Sequence, residues 1–309
     1  MNRLQANICL ICVTLYWSLE VILYTCIPSE VPPFATSCVT SLAGSLLLFG
    51  AFHRRTITEC RQHGRPFILR CLFYSILSAA FNTMFLYGLK SFDVASGAFT
   101  VCMTVVVLPV VLLSVRRCVS KETWVSVLLV LSGIMLALTP TLHGTQLPGL
   151  LLMGGGCLIR AIFIILLTDL AKKYDPMSIA ILLEGFAGFF SLVAWFIVEP
   201  RLFFALPVSR TLVAAWAIYS YFIVAIAHAL NFFALKHVTA TNATVVYSLE
   251  IVFSIIWGAV LPDNLIEKVP LTPTIVLGTV LVTIGSLTEI LDIRGRRRLH
   301  DVCKKEEIT

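Results

Sequence analysis

The sequence predicts an all-α polytopic membrane protein, with about ten transmembrane helices arranged as two inverted five-helix repeats. Three observations lead there: the composition, the length of the apolar runs, and a pattern that occurs twice. The 309 residues are 58% hydrophobic and 13% charged, with a mean hydropathy of +0.93. Soluble domains carry about 25% charged residues, so this chain cannot clothe a water-facing surface in polar groups. Ten cysteines are present. Most lie inside apolar runs, which argues against a disulfide framework. The C-x-x-C of Cys9 and Cys12 stands without a second pair and reads as small buried hydrophobes.

A spanning helix needs about 20 mostly apolar residues. Runs of that kind occupy 5–26, 33–52, 67–88, 94–115, 123–140, 147–168, 177–198, 210–235, 239–261 and 272–292. Such runs are too long for barrel strands. The first follows a charged start and resembles a signal peptide. It is too long for one, contains Trp17 and Glu20, and lacks a small-residue exit, so it reads as an uncleaved helix.

The connections alternate in charge. HRRTITECRQHGRP (53–66), RRCVSKE (116–122), AKKYDP (171–176), Lys236–His237 and the tail are basic, and the intervening set is poor in Lys and Arg apart from EPRLFFALPVSR (199–210). The positive-inside rule then puts both termini in the cytoplasm. The net charge of +6 has this topological reason, so nucleic acid is not an expected partner.

The pattern that repeats is LYGLKSFDVAS (86–96) over FFALKHVTATN (232–242), and 85–105 matches 231–251 at a constant offset. SEVPPFATSCVTSLAGSLL (29–47) matches YDPMSIAILLEGFAGFFSL (174–192), and SGIMLAL (132–138) matches IGSLTEI (284–290). The unit is five runs long. An odd unit places its copies in opposite orientations, with a site expected near the midplane. The halves are 1–145 and 146–293, followed by a basic cytoplasmic tail, 294–309. Both matching steps read as tight hairpins, with Lys at a helix end and Thr, Ser and Asn satisfying backbone groups.

These residues resemble the EamA-type branch of the drug/metabolite transporter superfamily. The second half carries FFALKHVTATNATVVYSLEIVF and then VLGTVLVTIGS (276–286). The first carries FLYGLKSFDVASGAFTV and then VLLVLSGIML (127–136), and Trp17 in LYWSLEV matches an early tryptophan of the family. The chain departs from the family pattern at Ile251, where a proline is usual, and at Thr40 or Ser41, where an arginine is usual. The resemblance implies a ten-helix secondary transporter with a central cavity, exporting or exchanging small organic metabolites, and together with the chain's size it suggests a bacterial inner membrane.

A charge at a helix centre costs about 2.5–3.5 kcal/mol on insertion scales, so each one needs a partner or a purpose. Arg160 and Glu184 lie at matching depth on neighbouring runs. They read either as a structural ion pair or as a cavity site in which Arg160 grips a carboxylate or phosphate. Trp17 falls at the Arg160 position when Pro33 is set over Pro176. Glu250 lies mid-run, where ionisation is costly, and suits a proton carrier or a substrate amine. His228, whose repeat mate is Asn82, either relays protons or bonds across helices. Glu20 lies nearer the outer end of its helix, where it can snorkel. Asn82, Tyr87, Asn231 and Tyr247 complete the candidate substrate site with Trp17, Arg160, His228 and Glu250. Glu250 and His228 are the candidates for proton coupling.

No P-loop, H-E-x-x-H or G-x-S-x-G motif occurs, so ATP-driven pumping and membrane hydrolysis have no visible machinery. No cofactor or metal is expected. GGG (154–156) reads as a close helix contact. Asn242-Ala-Thr244 matches an N-glycosylation pattern but falls on the buried or cytoplasmic side. The expected function is a secondary transporter of small organic metabolites, by export or exchange, working by alternating access and open to proton coupling. The partners are the substrate, the lipid bilayer and, as an open alternative, a second copy in a homodimer. Two other functional readings stand beside it: a transport-inactive accessory protein, and an uptake exchanger for a charged metabolite.

Overall fold

A computed structural model describes residues 2–28, 30–89, 103–115, 119–138, 147–206, 208–261 and 272–291. All regular elements among them are helical. In chain order they are α1 (Arg3–Thr25), α2 (Pro33–Leu89), α3 (Thr104–Ser114), α4 (Lys121–Leu138), α5 (Leu147–Lys173), α6 (Pro176–Val198), α7 (Pro200–Phe204) and α8 (Arg210–Ile218). A π-helix, Tyr219–Ala227, leads into α9 (His228–Leu235), followed by α10 (Ala240–Tyr247), α11 (Leu249–Val260) and α12 (Pro273–Leu291).

Among the described residues six stretches are long and apolar enough to cross a membrane: Pro33–Phe85, Leu151–Lys173, Pro176–Val198, Arg210–Leu235, Ala240–Val260 and Pro273–Ile290. Large apolar side chains such as Leu46, Leu151 and Ile197 point outward on them, 68–70% exposed for these three. That is tolerable only where the surroundings are hydrocarbon.

The basic connection 53–66 was expected to be a loop, and it is helical instead. α2 runs through it, broken by non-helical backbone at Phe52 and Gly64. Gly64 adopts φ +59°, a left-handed conformation that glycine takes without penalty. At 1.5 Å per residue an unbroken helix of this length would run about 85 Å, far beyond a bilayer core of about 30 Å. The two breaks divide it into an arm over 33–51, a short basic helix, and a second arm over 65–89. The short basic helix docks on the α5–α6 turn. The Asp175 backbone N–H donates to Glu59 Oε1 at 3.0 Å, the His63 ring stands edge-on to Tyr174 at 4.9 Å, and Arg70 on the second arm donates to the Tyr174 hydroxyl at 3.0 Å. Basic segments expected on one side of the membrane thus meet at one end of the bundle. The hairpin 90–93 and residues 94–102 of the fourth run lie outside the described residues.

Local chemistry sets the helix starts. Asp175 caps α6, its Oδ2 accepting from the Ser178 backbone N–H and hydroxyl at 2.9 Å, with Pro176 opening the first turn. Thr239 caps α10 after the turn at Lys236–His237, where the expected hairpin stands. Asn242 is fully buried one turn on.

Small residues let the two halves approach. The first arm of α2 lies on α6, with Ser45 Oγ donating to the Ile181 carbonyl at 2.8 Å. A Cβ on Gly188 would stand 2.9 Å from the Leu42 backbone nitrogen. α4 and α12 cross in a reciprocal way. A Cβ on Gly133 would meet the Gly278 carbonyl at 2.5 Å, and one on Gly285 would meet the Ser126 carbonyl at 2.9 Å. In the repeat alignment Gly133 stands over Gly285 and Ser126 over Gly278, so each half presents the same contact to the other.

Gly133→Val should therefore destabilise the protein by about 1–3 kcal/mol, through overpacking against backbone that cannot retreat. Gly154, whose Cβ would meet nothing within 4 Å, should accept alanine without loss. Thermal melting of the two variants in one detergent checks the contrast.

Candidate functional site

The arms of α2, α1, α5, α6, the π-helix and α9–α11 surround one central cavity with about 940 Å³ of atom-free space, including its mouth. Trp17, Asn82, Arg160, His228, Asn231, Tyr247 and Glu250 all line it.

Arg160 projects from the middle of α5 and is 9% exposed. Its guanidinium carbon lies 5.1 Å from the Phe81 ring centre, 5.6 Å from Trp17 and 5.9 Å from Tyr247. Three negative ring faces are a favourable setting for the cation. No hydrogen bond or ion pair within 4 Å joins it to another described residue. Trp17 and Arg160, matched positions of the two repeats, are in direct contact.

The anticipated ion pair between Arg160 and Glu184 is not formed. Glu184, 1% exposed on α6, is satisfied from the other side. Its Oε2 accepts from the Ser41 hydroxyl at 2.9 Å, and its Oε1 lies 2.7 Å from His228 Nδ1. The physical reason is the close approach of α2 to α6, which brings Ser41 within reach of the carboxylate, while α9 supplies the imidazole. Trp17 stands edge-on to the His228 ring at 5.8 Å. Histidine and glutamate thus form a hydrogen-bonded unit in which both keep a partner in either protonation state.

Glu20 does not snorkel. It lines the cavity and accepts a hydrogen bond from the Tyr219 hydroxyl. The π-helix that carries Tyr219 also leads directly into His228. Wide turns of this kind recur at functional sites. Tyr87 is not on the cavity. Its hydroxyl donates to Glu199 Oε1 at 3.2 Å, where α6 ends.

Tyr247 and Glu250 owe their placement to a break between α10 and α11. The Val245 carbonyl accepts from the Ser248 hydroxyl at 2.6 Å and from the Ser286 hydroxyl at 3.1 Å. These bonds supply partners where the helix is interrupted, as hydrocarbon surroundings require. Tyr247 donates from its hydroxyl to Asn231 Oδ1. Glu250 is 6% exposed and lies within electrostatic reach of Arg160 and Glu20. One guanidinium, three carboxyls and an imidazole therefore share a single chamber with aromatic walls.

Thr40, Ser41, Ser78 and Tyr219 line the chamber as well. Ser41 carried a usable signal, since it stands over Glu184 when Pro33 is set over Pro176. Tyr219 carried none.

The EamA-like transporter family matches this chain twice, over residues 4–139 and 147–288. No curated protein matches it. A solved structure described as "Crystal structure of protein" is similar in fold, with a TM-score of 0.72 at 15% identity, covering 95% of this chain and 98% of the other.

Glu184→Ala should cost about 1–3 kcal/mol, because it strands the Ser41 hydroxyl and the His228 imidazole away from water. Glu184→Gln, which keeps an acceptor for Ser41, should cost visibly less. The difference in melting temperature between the two is the measurement.

Proposed function

The chain belongs to the EamA-like transporter family and is a membrane transporter of small molecules; within that activity, we propose that it is a secondary transporter of small organic metabolites, exporting or exchanging them by alternating access. One observation carries the reading. Arg160 is a buried cation with no hydrogen bond or ion pair within 4 Å to another described residue, held between three aromatic rings on the wall of a cavity between the two halves. An unneutralised guanidinium is costly in a membrane, and an anionic substrate group offsets that cost. The planar fork takes a carboxylate through two parallel hydrogen bonds, and the rings take an apolar body.

Glu250 and Glu20 offer the complementary charge, so a metabolite bearing both a carboxylate and an amine fits the chamber. Proton coupling belongs to Glu250 and to His228 with its partner Glu184. Several carboxyls confined to one chamber cannot all be ionised without strong repulsion, so protons enter and leave as the chamber changes access. The helix break at Ser248 and the reciprocal glycine contacts are the places where one half can move against the other. Basic segments at one end of the bundle support an orientation with both termini in the cytoplasm. Arg160 also supports uptake exchange of an anionic metabolite as the second reading.

The test is metabolite profiling of cells and medium, comparing the intact chain with an Arg160→Ala, Glu250→Gln double variant. One chemical class should redistribute across the membrane with the intact chain alone, and its direction separates export from uptake. If nothing redistributes while the protein is folded and inserted, the accessory-protein reading replaces this one. Once a substrate is known, Arg160→Lys should raise KM by roughly tenfold, because the point charge is kept and the fork is lost. Collapse of the proton gradient should abolish accumulation if Glu250 and His228 carry protons.

A further inference from the structure

A second depression lies at the end of the bundle where α1 begins, α5 ends and the turn Lys236–Thr239 joins α9 to α10. It holds about 500 Å³ of atom-free space and is walled by Arg3, Lys172, Lys236, His237, Val238 and Thr239. Three separate chain segments bring basic groups to it, and no carboxylate lines it. None of the four basic side chains has a hydrogen bond or ion pair with another described residue. Burial and the neighbouring Lys236 hold the His237 imidazole below its ordinary value, so it offers a neutral ring N–H beside three fixed positive charges. Thr239 already caps α10, its Oγ1 accepting from the Asn242 backbone N–H at 3.2 Å, which leaves the hydroxyl hydrogen available. The positive end of the α10 dipole lies at the same place.

Like charges converging on one concavity repel each other unless something negative sits between them. A planar carboxylate is satisfied by a single fork. Three cations approaching from different helix ends suit a tetrahedral group with several anionic oxygens. We propose that this depression binds a phosphate group, with Arg3, Lys172 and Lys236 as its charge partners and His237 and Thr239 as hydrogen-bond donors. The site is separate from the central cavity and does not depend on what is transported. It stands where apolar helices end, the depth of lipid headgroups. The same chemistry is carried by an anionic phospholipid and by a soluble phosphate ester.

The full chain in neutral detergent distinguishes them. Native mass spectrometry with phosphatidylglycerol against phosphatidylcholine reads the lipid source, and melting in the presence of glycerol 3-phosphate reads the soluble one. The intact chain should retain phosphatidylglycerol, or be stabilised by glycerol 3-phosphate, and the response should fade in high salt. Lys172→Gln with Lys236→Gln should weaken the response about tenfold or more, while Lys172→Arg with Lys236→Arg should preserve it. Should the glutamine pair fail to fold, Arg3→Gln alone should weaken it about threefold or more. Phosphatidylglycerol binding lost in the glutamine variant, with no response to glycerol 3-phosphate, assigns a lipid site. Loss of a glycerol 3-phosphate response assigns a soluble phosphate site. Equal behaviour of the intact chain and the folded glutamine or Arg3→Gln variant toward both probes overturns the proposal.

Discussion

A charge buried in hydrocarbon must be neutralised, and the interior of this protein is organised around that requirement. Arg160 is the sharpest case. It sits mid-helix, where solvation by water is withdrawn, and its surroundings are three aromatic rings rather than a carboxylate. Cation–π attraction softens the cost but does not supply a counter-charge. Glu184 is held by Ser41 and His228 and Glu20 by Tyr219, while Glu250 lies within electrostatic reach without a hydrogen bond or close ion pair to the guanidinium. The guanidinium is thereby left available to a ligand.

The scaffold maintains this arrangement through backbone rather than through bulk. The first arm of α2 and α6 come close because Gly188 and Gly185 offer no side chain, and that proximity puts Ser41 against Glu184. Tyr247 and Glu250 flank the break at Ser248, where the Val245 carbonyl accepts from the Ser248 backbone N–H and from two serine hydroxyls. The π-helix ahead of His228 offsets Tyr219 and His228 from the register of a plain α-helix. Irregular backbone is tolerated at these positions because each lies inside the protein.

The basic depression near Lys236 shows the opposite regime. There the Arg3, Lys172 and Lys236 side chains stand exposed at helix ends, and the interaction is governed by salt and by the headgroup layer. The same residue types thus act as a topological signal along the sequence and as a converged cluster in space.

Composition and the apolar runs were enough to determine a helical membrane protein, because a chain so poor in charge has no other solvent. The repeat determined that two halves are related, and intramembrane polar residues pointed to most of the chamber, since only a purpose or a partner keeps them there. Partnership was not legible. The reading of Arg160 with Glu184 followed depth along two helices, whereas pairing depends on helix rotation, which is set by the glycine contacts between α2 and α6. Tyr87 and Glu20 changed places for the same reason, one pointing to Glu199 and the other into the cavity. The helical course of residues 53–63 was hidden because its basic pattern reads as a solvated loop, and only docking on Tyr174 and Asp175 orders it. Sequence determines what must be buried; tertiary structure decides which buried groups meet.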